Sequence, residues 1–246
     1  MRPSKPDDRR AGLCALRRRA RLLRAAAIAV LGATAVPAEP SPDWSRLMAE
    51  APWDWQAGDL IFRSGIDPLD DRIAAATGAE FGSVGILRAS SGGPRVLYVD
   101  PGEGVTEMLL AEFTAGLTEA EFAVYRVPAS DIWGQADNPI SYNALLVAFG
   151  RPADPHRLAG GAAYYSAELA MLAALGAGVA LGAPTRLATL AGDDAGLRDV
   201  FLAHWQDHPY CRYVVTRAEC WAIIGDLAVV TTASVLHDTD LIKVYP

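Results

Sequence analysis

Ser83-Val84-Gly85-Ile86-Leu87 and Arg95-Val96-Leu97-Tyr98-Val99-Asp100 read as two β-strands, joined by the loop Ser90-Ser91-Gly92-Gly93-Pro94. Short apolar runs bounded by Gly, Ser and Pro are hairpin signals. Upstream, Gly58-Asp59-Leu60-Ile61-Phe62-Arg63 is a turn followed by a strand. Downstream, Phe122-Ala123-Val124-Tyr125-Arg126-Val127 is a fourth. Helices follow. Tyr142 to Phe149 is one. Tyr164 to Ala177 is longer, with Leu169, Leu172 and Leu175 at helical spacing and Gly176 and Gly178 as stop signals. Thr216-Arg217-Ala218-Glu219 has capping-box spacing before a helix over Cys220 to Leu227. Asp67-Pro68-Leu69-Asp70-Asp71 opens a short helix, Arg72 to Ala76, its acids suiting a helix N-terminus. A helical piece is expected around Met108 to Ala115. Strands grouped early and helices late predict an α+β fold, an antiparallel sheet packed against helices.

The chain has 246 residues, 51% hydrophobic and 21% charged, which fits one globular domain. No apolar run reaches the roughly 18 to 20 residues of a spanning helix. The net charge of −7 argues against a nucleic-acid partner. Charge is unevenly placed: residues 1–38 hold nine Lys/Arg against two acids, whereas 39–246 hold 13 against 27. After the arginines comes the apolar stretch Ala25 to Ala33, then small residues ending Val36-Pro37-Ala38. A basic region, a short apolar region and a small-x-small site make a secretory signal peptide. Cleavage would leave a mature domain over 39–246, periplasmic or extracellular, with no integral membrane span. Its first part, 39–57, is a lead-in rich in Pro and Trp.

The mature chain keeps Cys211 and Cys220. Export permits a disulfide, and two buried thiols fit the sequence equally well. His204 and His208 with these two cysteines are four ligand-type side chains, but their spacing matches no common zinc finger. Surface histidines beside structural cysteines is the simpler reading, so no metal and no cofactor is expected. Walker, Rossmann, HExxH and GxSxG motifs are absent.

A set of short motifs runs in order: Gly58-Asp59-Leu60-Ile61-Phe62, Thr77-Gly78-Ala79-Glu80-Phe81-Gly82-Ser83-Val84-Gly85-Ile86, Tyr98-Val99-Asp100 before Gly104-Val105, Phe149-Gly150-Arg151-Pro152-Ala153-Asp154, Tyr164-Tyr165-Ser166-Ala167-Glu168-Leu169, and Val230 to Leu236. In order and spacing it resembles the YiiX-type permuted papain-like amidases, the circularly permuted branch of the NlpC-like cysteine hydrolases. The resemblance covers about residues 53 to 246. It implies a permuted papain-like fold with a Cys nucleophile at a helix N-terminus, a His base at the start of a strand and a third polar residue orienting the His. Carried over position by position, the nucleophile falls on Ser166, the base on Ser83 and the orienting residue on Asp100. Asp59, Tyr165 and Glu168 fall at the binding positions beside them.

Both reactive groups are thus replaced. A serine needs an adjacent general base, and Ser83 cannot serve as one at neutral pH. The resemblance therefore implies a pseudoenzyme that keeps a cleft for an amide- or ester-containing envelope ligand, a cell-wall peptide or a lipid. The alternative is an active amide or ester hydrolase with Ser166 as nucleophile, for which His156, in the loop before Ser166, is the nearest replacement base. A plainer reading remains for each residue. Ser166 is a first-turn helix serine, Ser83 a small strand residue, and Asp100 the acid that starts a turn before Pro101-Gly102.

Overall fold

The computed structural model describes residues 51–130 and 138–246. The signal-peptide reading of 1–38 and most of the lead-in lie outside them. Among the described residues eight strands are formed: β1 (Leu60–Arg63), β2 (Ser83–Arg88), β3 (Arg95–Asp100), β4 (Gly104–Leu109), β5 (Phe122–Arg126), β6 (Thr185–Arg186), β7 (Ala228–Val229) and β8 (Ile242–Tyr245). Six make one antiparallel sheet in the order β4-β3-β2-β1-β5-β8, and β6 and β7 make a small ribbon. The helices are α1 (Pro68–Thr77), α2 (Leu110–Phe113), α3 (Pro139–Ala148), α4 (Ser166–Gly176), α5 (Leu187–Ala191), α6 (Ala195–Phe201), α7 (Arg217–Ile224) and α8 (Thr232–Leu236). The α+β expectation holds, with an antiparallel sheet packed against helices.

Strand alternation gives the sheet two unlike faces. Leu60, Phe62, Val84, Ile86, Leu97 and Val99 point to the side where α3 and α4 pack, and join Ile140, Ala144, Leu169 and Ala173 in the main core. Ile61, Leu87, Val96, Tyr98 and Val124 point the other way, against Leu110, Phe113, Phe122 and the partly buried Trp53 and Tyr245. Helix α1 starts at Pro68, earlier than the expected Arg72, and is capped at both ends: the Asp67 side chain accepts from Leu69 N at 2.8 Å, and left-handed Gly78 closes it. The start of β2 lies so close to α1 that a Cβ on Gly82 would stand 2.8 Å from the backbone nitrogen of Asp71, which excludes any larger residue. The hydrogen bond from Ser166 to Asp70 joins the first turn of α1 to the first residue of α4.

Four strands depart from the sequence reading: the short ribbon pair β6 and β7, and the edge strands β4 and β8. Met108, expected in a helical piece, belongs to β4, and β8 was not expected at all. Both are edge strands, half exposed and paired on one side only, so neither carries the continuous apolar run of β2 or β3. Helix α4 begins at Ser166, not at Tyr164; Tyr165 is its extended N-cap residue.

Candidate functional site

Ser166 is the first residue of α4 and is 2% exposed. Its hydroxyl donates to Asp70 Oδ2 at 2.6 Å. Asp70 sits in the first turn of α1, also buried. Its other oxygen accepts from Arg157 Nε at 3.1 Å and Nη2 at 2.7 Å. Arg157 Nη2 also reaches Asp67 Oδ2 at 2.6 Å, and Nη1 donates to the Asp154 carbonyl. The guanidinium lies 5.4 Å from the centre of the Tyr165 ring. Arg157 holds this position with φ at 56°, a left-handed conformation unusual for a side-chain-bearing residue. Burial pushes the Asp70 carboxyl above its usual range, and Arg157 and Ser166, both donating to it, oppose the shift.

The loop between Asp154 and α4 is tied down by carboxylates. Asp154 accepts from His156 N at 2.8 Å and from Leu158 N. Glu168, buried in the first turn of α4, accepts from Gly160 N at 2.7 Å through Oε1, while Oε2 has no hydrogen-bond partner. Burial, reinforced by the nearby Asp154 charge, pushes its pKa up to about 7. The Tyr165 hydroxyl accepts from Val230 N at 3.0 Å, fastening α4 to the segment before α8.

Ser83 and Asp100 are placed differently. They lie on neighbouring strands, at the first residue of β2 and the last of β3. Ser83 pairs with Arg63, so its side chain faces the same side of the sheet as Arg63, whose guanidinium lies 5.3 Å from the Phe113 ring centre. That is the face away from α4. Ser83 Oγ is buried without a hydrogen-bond partner. Asp100 accepts from Gly102 N at 2.8 Å and Glu103 N at 2.9 Å, the turn-starting role open to it from sequence. No hydrogen bond joins Ser166 to either. The physical reason is the period of two: Val84 and Ile86 go to the helical core, which turns Ser83 outward from it.

Asp59 is buried and accepts from Gln56 N and from Arg126 Nε and Nη2 at 2.8, 2.8 and 2.9 Å, a structural ion pair at the start of β1. His156 does not reach Ser166 by any hydrogen bond; its ring packs edge-on against His208, centroids 4.8 Å apart. Burial and the neighbouring His156 charge lower the His208 pKa to about 4. Cys211 and Cys220 are joined in a disulfide, which removes them as metal ligands. Among the described residues no group of three or more His, Cys, Asp or Glu is placed to hold a metal.

Sequence reasoning missed Asp70 and Arg157. The spacing of Asp67 and Asp70, which puts two carboxylates on one face of a first turn, is the signal that asked for a cation.

No protein-family model matches the chain, and no curated protein matches it. Among solved structures, the crystal structure of the metalloprotein YiiX from Escherichia coli O157:H7, assigned to DUF1105, superposes with a TM-score of 0.56 at 18% identity. The match covers 79% of this chain and 100% of that one. The chain has a YiiX-like fold. The likeness reaches the architecture described above and carries no residue roles with it. No helix among the described residues is long and apolar enough to cross a membrane.

Proposed function

We propose that this chain is an exported, non-hydrolytic protein of the permuted papain-like amidase type, which binds an amide- or ester-containing envelope ligand. The observation that carries the reading is the state of Ser166. Its hydroxyl is buried and donates a hydrogen bond to Asp70, and Asp70 is itself held by Arg157. A nucleophile needs an exposed oxygen and a base free to accept its proton. Here no imidazole is hydrogen-bonded to the serine, and the carboxylate serves an ion pair. The Cys211–Cys220 disulfide supports an oxidising compartment, in line with the signal-peptide pattern.

Of the two ligand chemistries, the lipid suits the molecule better. On the face of the sheet away from α4, Trp53, Leu110, Leu117, Phe122 and Tyr245 line a cavity of about 280 Å³. Its apolar wall fits an acyl chain, and Glu119 is its charged member.

The 2.6 Å contact between Ser166 and Asp70 favours one second reading, a serine hydrolase with Asp70 as base. A fluorophosphonate probe with mass-spectrometric mapping separates the two. The non-hydrolytic reading expects no adduct at Ser166 and background turnover of acyl esters and amides. An adduct at Ser166, with hydrolysis abolished by Ser166→Ala, would establish the hydrolase.

A further inference from the structure

We infer that the outer face of α3 and α4 is the interface of a homodimer. Tyr142, Leu146, Val147 and Phe149 from α3 and its end, and Leu175 from α4, are between 50% and 68% exposed. The two helices pack side by side, so these side chains form one patch. No charged residue occurs from Pro139 to Gly150 or from Leu169 to Thr185, and Glu168, the one charge on α4, is buried. Amphipathic surface helices normally set charged residues on the outward side. Here the outward side is apolar.

The patch also contains a hollow. Asn143, Val147, Leu172, Ala173 and Gly176 line a recess of about 110 Å³ between the helices. A cavity of ~150 Å³ holds a benzene molecule, so this recess has room for about one apolar side chain and not for a larger ligand. Exposed side chains of that size, Leu146 and Leu175, neighbour its lining residues Val147 and Gly176 in sequence. A surface that carries both the projections and the hollow is self-complementary, which a two-fold interface requires.

Area and charge favour a second copy. Taking roughly 100 Å² of free surface for each large apolar side chain exposed to this degree, the patch offers on the order of 500 Å² per copy. Two copies then reach the ~1,000 Å² at which specific interfaces begin. Residues 39–246 hold 27 acidic against 13 basic residues, so two copies repel except where a face carries no charge. The same excess of acid disfavours an anionic bilayer, and the two helices lack the Lys and Arg of interfacial membrane helices.

Sedimentation equilibrium on the purified full chain tests the proposal. A concentration-dependent dimer is expected, with self-association weakened on the order of 100-fold by Leu146→Glu combined with Leu175→Glu. Both side chains are exposed, so the circular dichroism spectrum and Tm of the monomer should be retained. If the double variant misfolds, Tyr142→Lys is the second variant, expected to weaken the dimer on the order of tenfold. A wild-type monomer up to roughly 100 μM, a dimer indifferent to folded variants of the patch, or a monomer that co-sediments with phosphatidylglycerol vesicles through this patch would each overturn it.

Discussion

The two faces of the six-stranded sheet bury comparable structure by different means. On the α4 side, Asp70, Arg157, Glu168 and Ser166 are buried, and directional bonds hold them in place. On the other side, rings do the filling: Trp53 stacks on Tyr245 at 4.6 Å, Phe122 on Tyr245 at 5.3 Å, and Tyr98 meets Phe113 edge-on at 5.3 Å. Apolar contact is non-directional and tolerates change of shape, whereas a buried charge tolerates only its own partner. The Ser166–Asp70–Arg157 set therefore lies on the face with less freedom to vary, and the cavity lined by Trp53, Phe122 and Tyr245 on the face with more.

The largest effect that sharpens this contrast is expected from Asp70→Ala. Arg157 would lose the more deeply buried of its two carboxylates and keep only Asp67, at a cost of about 3–5 kcal/mol in urea unfolding. Replacing both partners, with Asp70→Leu and Arg157→Met, should recover much of the loss. A single variant within about 1 kcal/mol of wild type would erase the distinction between the faces. On the aromatic side, Phe122→Ala should cost about 3 kcal/mol, but Phe122→Leu less than about 1.5 kcal/mol. If Phe122→Leu matched the alanine variant, that face would be as exacting as the other.

The disulfide ranks next. Cys211 and Cys220 are nine positions apart and both sulfurs belong to the helical core. Replacing both by alanine should cost about 2.5 kcal/mol through the loop-closure entropy of a short loop, read as a lower Tm in non-reducing buffer. An unchanged Tm would show that packing alone holds α7.

The smallest effect is in pH. Glu168, raised to about 7, binds its proton more tightly folded than unfolded; its contribution is full below about 4.5 and lost as pH rises to about 7. His208, lowered to about 4, resists protonation when folded; its contribution is present above about 6.5 and lost as pH falls to about 4. Between pH 4.5 and 6.5 the two slopes oppose each other, and wild-type stability should be nearly flat on their account. Glu168→Gln should expose the acid-side loss, and His208→Gln the loss toward neutral pH, each on the order of 1 kcal/mol after partial screening by solvent. Parallel pH profiles for wild type and both variants would remove these groups from the ledger.

Much of the fold was legible because its central strands β1, β2, β3 and β5 are apolar runs with clear punctuation, and because α1 and α7 carry their caps in sequence, at Asp67 and at Thr216 with Glu219. The edges were not legible. A strand paired on one side has half its residues in water and no run to recognise. The site was legible one residue at a time but not as a set. Ser166 is a first-turn helix serine, the plainer of the two readings its sequence allows, but its partner Asp70 lies 96 positions away, and no local pattern names a partner at that distance. Ser83 fell in the right strand, yet its facing is decided by which neighbours the core claims.

The Ser166–Asp70–Arg157 chain also makes the present chemistry hard to leave. A cysteine at 166 would place its sulfur against a carboxylate, which disfavours the thiolate that a papain-type attack requires. A histidine at 83 would face the other side of the sheet and could not compensate. Clearing Asp70 to free the sulfur would leave the buried Arg157 with Asp67 as its one remaining carboxylate. Cysteine at 166 and histidine at 83 together would therefore still lack the geometry of a thiolate–imidazole pair, because the two side chains stand on opposite faces of the sheet.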